Sequence, residues 1–123
     1  MSTAIIIDDY AENAESLGIY LEMIGLKVLA IGHDGMQAFE LYQRLRPYFV
    51  FLDVQMPNYD GYFALSKIKQ FNPSATVIMI TADTAAETRR RLILLGATDI
   101  LYKPIDHSLM KEIITSSNLH MVA

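Results

Sequence analysis

The sequence predicts one α/β domain, a five-stranded parallel sheet doubly wound with helices on both faces. Three observations carry that prediction. Short apolar segments rich in β-formers alternate five times with longer segments of helical spacing, and near-continuous apolar strands belong to parallel sheets covered on both sides. The chain has 123 residues, the size of a single domain with one core. The polar residues best suited to chemistry fall at the ends of the apolar segments, where a parallel sheet gathers them along one edge.

The strand segments are residues 4–7, 27–31, 48–52, 76–80 and 100–102. After the first, Ala14, Leu17, Leu21 and Ile24 recur at i, i+3, i+7 and i+10, so residues 10–24 form a helix with one apolar face. Gly25 then stands where a helix commonly stops. A second helix is predicted over 36–45, closed by Arg46-Pro47 because proline cannot continue it. The third starts after the turn Asn58-Tyr59-Asp60-Gly61 and ends before Asn72-Pro73. The fourth spans 85–95, followed by Gly96, and the fifth begins near Ser108 and ends around Thr115. This makes residues 1–123 one domain, with a core of about 4–116 and a short tail over 117–123. With right-handed crossovers, the expected strand order is the flavodoxin-like 2-1-3-4-5. No linker, repeat or low-complexity stretch interrupts the pattern.

Composition narrows the function classes. At 52% hydrophobic and 20% charged, the chain is an ordinary globular one. It has no cysteine, which excludes disulfides, thiolate metal sites and cysteine nucleophiles and fits a reducing compartment. No apolar run approaches the ~20 residues needed to cross a bilayer, and Met1-Ser2-Thr3 lacks the features of a signal peptide, so a cytoplasmic protein is expected. The net charge of −4 gives no attraction to a nucleic-acid backbone.

The placement of polar residues is more informative. Asp8-Asp9 follow the first strand, Asp53 the third, Thr81 the fourth and Lys103 the fifth, whereas the second ends in Gly32-His33 and contributes nothing obvious. In the order 2-1-3-4-5 the first and third strands flank the crevice where ligands bind, so these five side chains converge there. Each also has an ordinary use: Asp8-Asp9 suit a helix cap, Asp53 a turn, Thr81 a cap and Lys103 a solvated loop. Their shared edge is what favours chemistry. Three carboxylates in one cleft repel one another unless a cation neutralises them, and Mg²⁺ prefers one or two carboxylates with waters and phosphate oxygens. A lysine adds a compact positive charge for a phosphate and a hydroxyl adds a donor. Together these parts describe phosphoryl transfer onto an aspartate.

In these motifs the sequence closely resembles the receiver domains of two-component systems. The matching segments are Ile5-Ile6-Ile7-Asp8-Asp9, Phe51-Leu52-Asp53-Val54-Gln55-Met56-Pro57 with Asp60-Gly61, Ile80-Thr81-Ala82 and Tyr102-Lys103-Pro104. They cover residues 4 to about 116, and all of them in order at these spacings are highly specific. The resemblance, which is to receivers of the chemotaxis-regulator kind, implies a signalling switch rather than an enzyme. Asp53 would accept a phosphoryl group from a histidine kinase, a phosphotransfer protein or a small donor such as acetyl phosphate. Asp9, Asp53 and the backbone carbonyl of Gln55 would ligate Mg²⁺ or Mn²⁺, with Asp8 acting mainly through water or hydrogen bonds. Lys103 would pair with the phosphoryl oxygens. Thr81, with the Ala82 backbone beside it, would move toward the phosphoryl group and pull the loop after the fourth strand with it. A cis peptide is expected between Lys103 and Pro104. A downstream effector or a second copy would bind the surface of the fourth helix, fifth strand and fifth helix.

The sequence departs from the family pattern at the position three residues before the lysine. There the usual Tyr or Phe, which swings inward on activation, is replaced by Ile100, and Tyr102 lies at the wrong offset. The family also tunes phosphoryl lifetime at the positions held here by Gln55 and Asp83. Other signals are weaker. Arg89-Arg90-Arg91 spreads around a helix and reads as a solvated face, the three histidines show no metal-ligand spacing, and seven methionines suit adaptable packing. Two rival functions stand beside the switch. A haloacid-dehalogenase-type enzyme would need an acid two residues after the nucleophile, where Gln55 stands, and a pseudo-receiver would not need Asp8, Asp9, Asp53, Thr81 and Lys103 intact. The residues after the fifth helix are too few for an effector domain, so the expected protein either acts alone on a partner or is a receiver from a longer regulator.

Overall fold

The structure is a computed structural model that describes the backbone of residues 2–122 and the side chains of residues 2–116. Five strands alternate with five helices: β1 (Thr3–Ile7), α1 (Ala11–Met23), β2 (Lys27–Gly32), α2 (Gly35–Leu45), β3 (Phe49–Asp53), α3 (Gly61–Phe71), β4 (Thr76–Thr81), α4 (Ala86–Leu94), β5 (Asp99–Tyr102) and α5 (His107–Val122). The strands are parallel and lie in the order β2-β1-β3-β4-β5, as the sequence predicts.

Strand alternation divides the core into two layers. Ile5, Ile7, Val50, Leu52, Val77 and Met79 pack with Ala38 and Tyr42 of α2, Leu65 and Ile68 of α3, and Leu92 of α4. Ala4, Ile6, Phe49, Phe51, Ile78 and Ile80 pack on the other face with Leu17 and Leu21 of α1 and Met110 and Ile114 of α5. Every strand side chain in the centre of the sheet is therefore inside, which is why the strands read as unbroken apolar runs.

Side-chain caps start three helices: Asp34 accepts from the Gln37 amide (2.9 Å), Asp60 from the Phe63 amide (3.0 Å) and Asp106 from the Leu109 amide (3.1 Å). The helix α5 begins at His107 and continues to Val122, past the end expected near Thr115. Residues 117–122 are thus helical rather than an irregular tail, and Ala123 and the side chain of His120 lie outside the described residues. No helix among the described residues is long and apolar enough to cross a membrane.

Gly18 sits inside α1 on its buried side, where an added Cβ would make an ordinary contact, 3.5 Å from Ile6 Cδ1. Gly18→Ala is therefore expected to stabilise the protein by up to about 1 kcal/mol, from reduced backbone entropy of the unfolded chain and better helix propensity. Thermal unfolding should show a rise of about 4 °C; a fall would mean that α1 has no room to take the methyl group.

Candidate functional site

At the carboxyl edge the register sets the chemical residues in a row. Ile7 pairs with Leu52, Asp53 with Ile80 and Thr81 with Tyr102. Asp8 and Lys103 are the first residues beyond β1 and β5, whereas Asp53 and Thr81 are the last residues of β3 and β4, one step inside the positions expected from sequence. Backbone bonds fix the exits: the Val54 amide donates to Ile80 O (3.0 Å) and the Lys103 amide to Thr81 O (2.9 Å).

Asp8, Asp9 and Asp53 each bring a carboxylate oxygen to within 4.8 Å of the others. Asp8 and Asp53 are buried, at 8% and 5% exposure, and Asp9 is exposed. Lys103 is no free surface charge: its Nζ donates to Asp53 Oδ2 at 3.2 Å and lies 3.9 Å from Asp8 Oδ2. The Lys103–Pro104 peptide is cis. Asp8 and Lys103 also line a cleft of about 310 Å³, walled by Leu17, Ile80, Ile105 and His107. Asp8 does not cap α1, whose N-cap Tyr10 has no side-chain cap bond; its Oδ1 accepts instead from the Tyr10 amide (2.9 Å), in the turn before the helix.

Burial pushes the Asp53 carboxyl above its usual range; Lys103 and the Gln55 amide pull it down, and the Asp8 carboxylate pushes it up again. One ammonium among three carboxylates leaves negative charge uncompensated. An all-oxygen donor set with that deficit fits a hard divalent cation such as Mg²⁺ or Mn²⁺.

The remaining predicted residues lie on β4, on β5 and on the loops after β3 and β4. Thr81 is buried at 1% exposure, and its Oγ1 accepts from the Asp83 amide at 3.0 Å. Gln55 and Ala82 are exposed on the loops after β3 and β4. The Asp83 carboxylate is engaged with Thr88 and the Ala85 amide at the start of α4. Ile100 is buried among the same side chains as Leu92. The arginine run divides: Arg90 pairs with Glu87 (2.7 Å) and Arg91 lies over the Tyr62 ring (3.8 Å).

The strand that promised nothing does contribute. His33, just past β2, donates from Nδ1 to the Asp8 carbonyl (3.1 Å), a direction required because a carbonyl can only accept. The Asp8 amide in turn donates to Gly32 O (3.1 Å), so the end of β2 braces the loop that carries the acidic pair. The only signal in the sequence was its position at the same edge.

Comparison with known proteins decides what this arrangement belongs to. The family model described as "Response regulator receiver domain" matches residues 4–115. The chain belongs to the response-regulator receiver family. It is 33% identical over 113 residues to the chemotaxis protein CheY of Bacillus subtilis, covering 92% of this chain and 94% of that one. The chemotaxis protein CheY of Treponema pallidum is 32% identical over 114 residues, covering 91% of this chain and 79% of the relative. Among solved structures, the CheX-CheY-BeF3-Mg+2 complex from Borrelia burgdorferi superposes with a TM-score of 0.89 at 27% identity, covering 94% of this receiver and 88% of that chain. Receivers are signalling proteins of two-component systems that pair with histidine kinases and effector domains. They bind Mg²⁺ at an acidic pocket, and this receiver has a cluster of three carboxylates, Asp8, Asp9 and Asp53.

Proposed function

We propose that this receiver is a cytoplasmic switch thrown by phosphorylation of Asp53. The observation that carries the reading is the Asp53 carboxylate itself, buried at the end of β3 beside two further carboxylates and 3.2 Å from Lys103 Nζ. An Asp53 oxygen attacks the phosphorus of a histidine kinase's phosphohistidine, a phosphotransfer protein or acetyl phosphate. The new P–O bond forms as the bond to the leaving group breaks, and Asp53 becomes an acyl phosphate. Asp9, Asp53 and the Gln55 carbonyl, with Asp8 acting through water or hydrogen bonds, would hold Mg²⁺ or Mn²⁺, which would neutralise the phosphoryl charge. Lys103 exchanges its bond to Asp53 for the phosphoryl oxygens. The Thr81 hydroxyl and the Ala82 amide donate to those oxygens, with Gln55 at the rim setting access of water. The output is binding of an effector or a second copy at the surface of α4, β5 and α5.

The test is direct. Intact mass after incubation with acetyl phosphate and Mg²⁺ should rise by one phosphoryl group, and EDTA should prevent the rise. A protein that gains no mass, and whose amide spectrum ignores Mg²⁺ with beryllofluoride, is an interaction domain that does not phosphorylate, and the reading fails.

A further inference from the structure

One chain of hydrogen bonds joins the site to α4. The Asp83 amide donates to Thr81 Oγ1 at 3.0 Å. The Asp83 carboxylate accepts from the Ala85 amide (2.9 Å) and from the Thr88 hydroxyl (2.6 Å). Ala85 immediately precedes α4 and Thr88 lies in its first turn. A single residue thus holds the site hydroxyl with its backbone and the helix with its side chain. The Thr88 hydroxyl, and after it the Ala85 amide, keep the Asp83 carboxyl below its usual range, so both bonds favour the ionised form.

The helix at the far end of this chain is thinly held. Among its described residues α4 buries Leu92 alone, while Ile93 and Leu94 face outward at 52% and 79% exposure. An element with so little buried apolar surface lies toward the low-stability end of a fold, where a few polar bonds decide its position. Ile100 is already buried beside Leu92 and has no ring to swing.

We propose that Asp83, completed by Thr88, is a positioning residue that ties the Thr81 hydroxyl to the placement of α4. The inference rests on phosphorylation at Asp53 and adds the path by which it is felt. When Thr81 turns its hydroxyl to a phosphoryl oxygen, the Asp83 amide follows its acceptor or loses it. Either way the carboxylate shifts, and the first turn of α4 shifts with it. Coupling of this kind is reciprocal, so a partner that fixes α4 also favours the phosphorylated arrangement of Thr81.

Thr88 touches none of the groups assigned to metal or phosphoryl binding, which makes it the place to cut. Thr88→Val keeps the shape and removes the donor, and Thr88→Ser keeps the donor. Amide hydrogen exchange of residues 84–94 is followed in the full chain, with and without Mg²⁺ and beryllofluoride. Wild type and Thr88→Ser should show the same beryllofluoride-dependent change, and in Thr88→Val it should fall to less than half that size. The Val variant should still gain one phosphoryl group from acetyl phosphate, which shows that it folds and that its site works. A full-sized change at α4 in Thr88→Val overturns the coupling while leaving Asp53 phosphorylation standing. A wild-type chain that gains no phosphoryl mass overturns the underlying reading, and this inference with it.

Discussion

Asp53→Asn abolishes phosphorylation and at the same time stabilises the metal-free protein. The first effect follows from chemistry: an amide is no nucleophile toward phosphorus, so no acetyl phosphate concentration should add a phosphoryl group. The second follows from burial, which raises the Asp53 carboxyl above its ordinary value of 3.8. A folded state with a raised carboxyl pKa binds its proton more tightly than the unfolded chain does. Its contribution to stability is then fully present below pH 3.8 and is lost as pH rises through the folded value. Asparagine has nothing to titrate. In EDTA, the melting temperature of Asp53→Asn should therefore exceed that of wild type by a margin that opens as pH climbs out of the acid range and is complete at neutrality. Mg²⁺ should narrow the margin by stabilising wild type, because a bound cation favours the ionised carboxylate that burial disfavours. A phosphoryl group found on Asp53→Asn would remove Asp53 from the centre of the mechanism; equal melting temperatures at neutral pH would mean that Lys103 already cancels the cost of burial.

Much of this is legible in the sequence alone, and the reason is the parallel sheet. Strands buried on both faces have to be apolar throughout, so Ile5-Ile6-Ile7 and Phe49-Val50-Phe51-Leu52 announce themselves, and any charge at their ends stands out. Asp8, Asp9, Asp53, Thr81 and Lys103 were found in that way, by position rather than by local motif. What depends on register was hidden. β1 runs beside β2 with a shift between Ala4 and Ile5, and Ile7 consequently meets Gly32 rather than Ile31. That single step carries His33 to the Asp8 carbonyl, and no counting along either strand reveals it.

The direction of a side chain was equally hidden. Asp83 is two residues from Thr81 and reads as an acid of the site, but the Ala85 amide and the Thr88 hydroxyl at the start of α4 are the donors its carboxylate reaches. The end of α5 was missed for another reason. Ser116-Ser117-Asn118 are residues that favour caps and turns over helix interiors, yet the backbone stays helical to Val122, as local propensity is a weak prior.

Gly61→Ala is expected to cost substantial stability, and it acts on the site from behind. Gly61 opens α3 and donates its amide to Val54 O at 2.8 Å, which draws the helix end against the residues that follow Asp53. A Cβ there would collide with the Asp53 carbonyl oxygen and stand 2.7 Å from Val54 Cα. Both are backbone atoms, so no rotamer can yield. Helix propensity favours alanine by about 1 kcal/mol, but forcing a methyl group into packed backbone costs about 3 kcal/mol, so the clash wins. The net loss of about 2 kcal/mol should lower the melting temperature by roughly 8 °C. Because the atoms pushed are those that carry the Asp53 carboxylate, phosphorylation by acetyl phosphate should slow as well, even at temperatures where the variant is fully folded. The contrast with Gly18→Ala separates the two roles of glycine in this chain: one methyl group finds room beside Ile6, and the other finds the backbone of the phosphoryl acceptor. Equal melting behaviour in the two variants would mean that α3 can slide away from β3, and that the Asp53 loop is held by something other than this close approach.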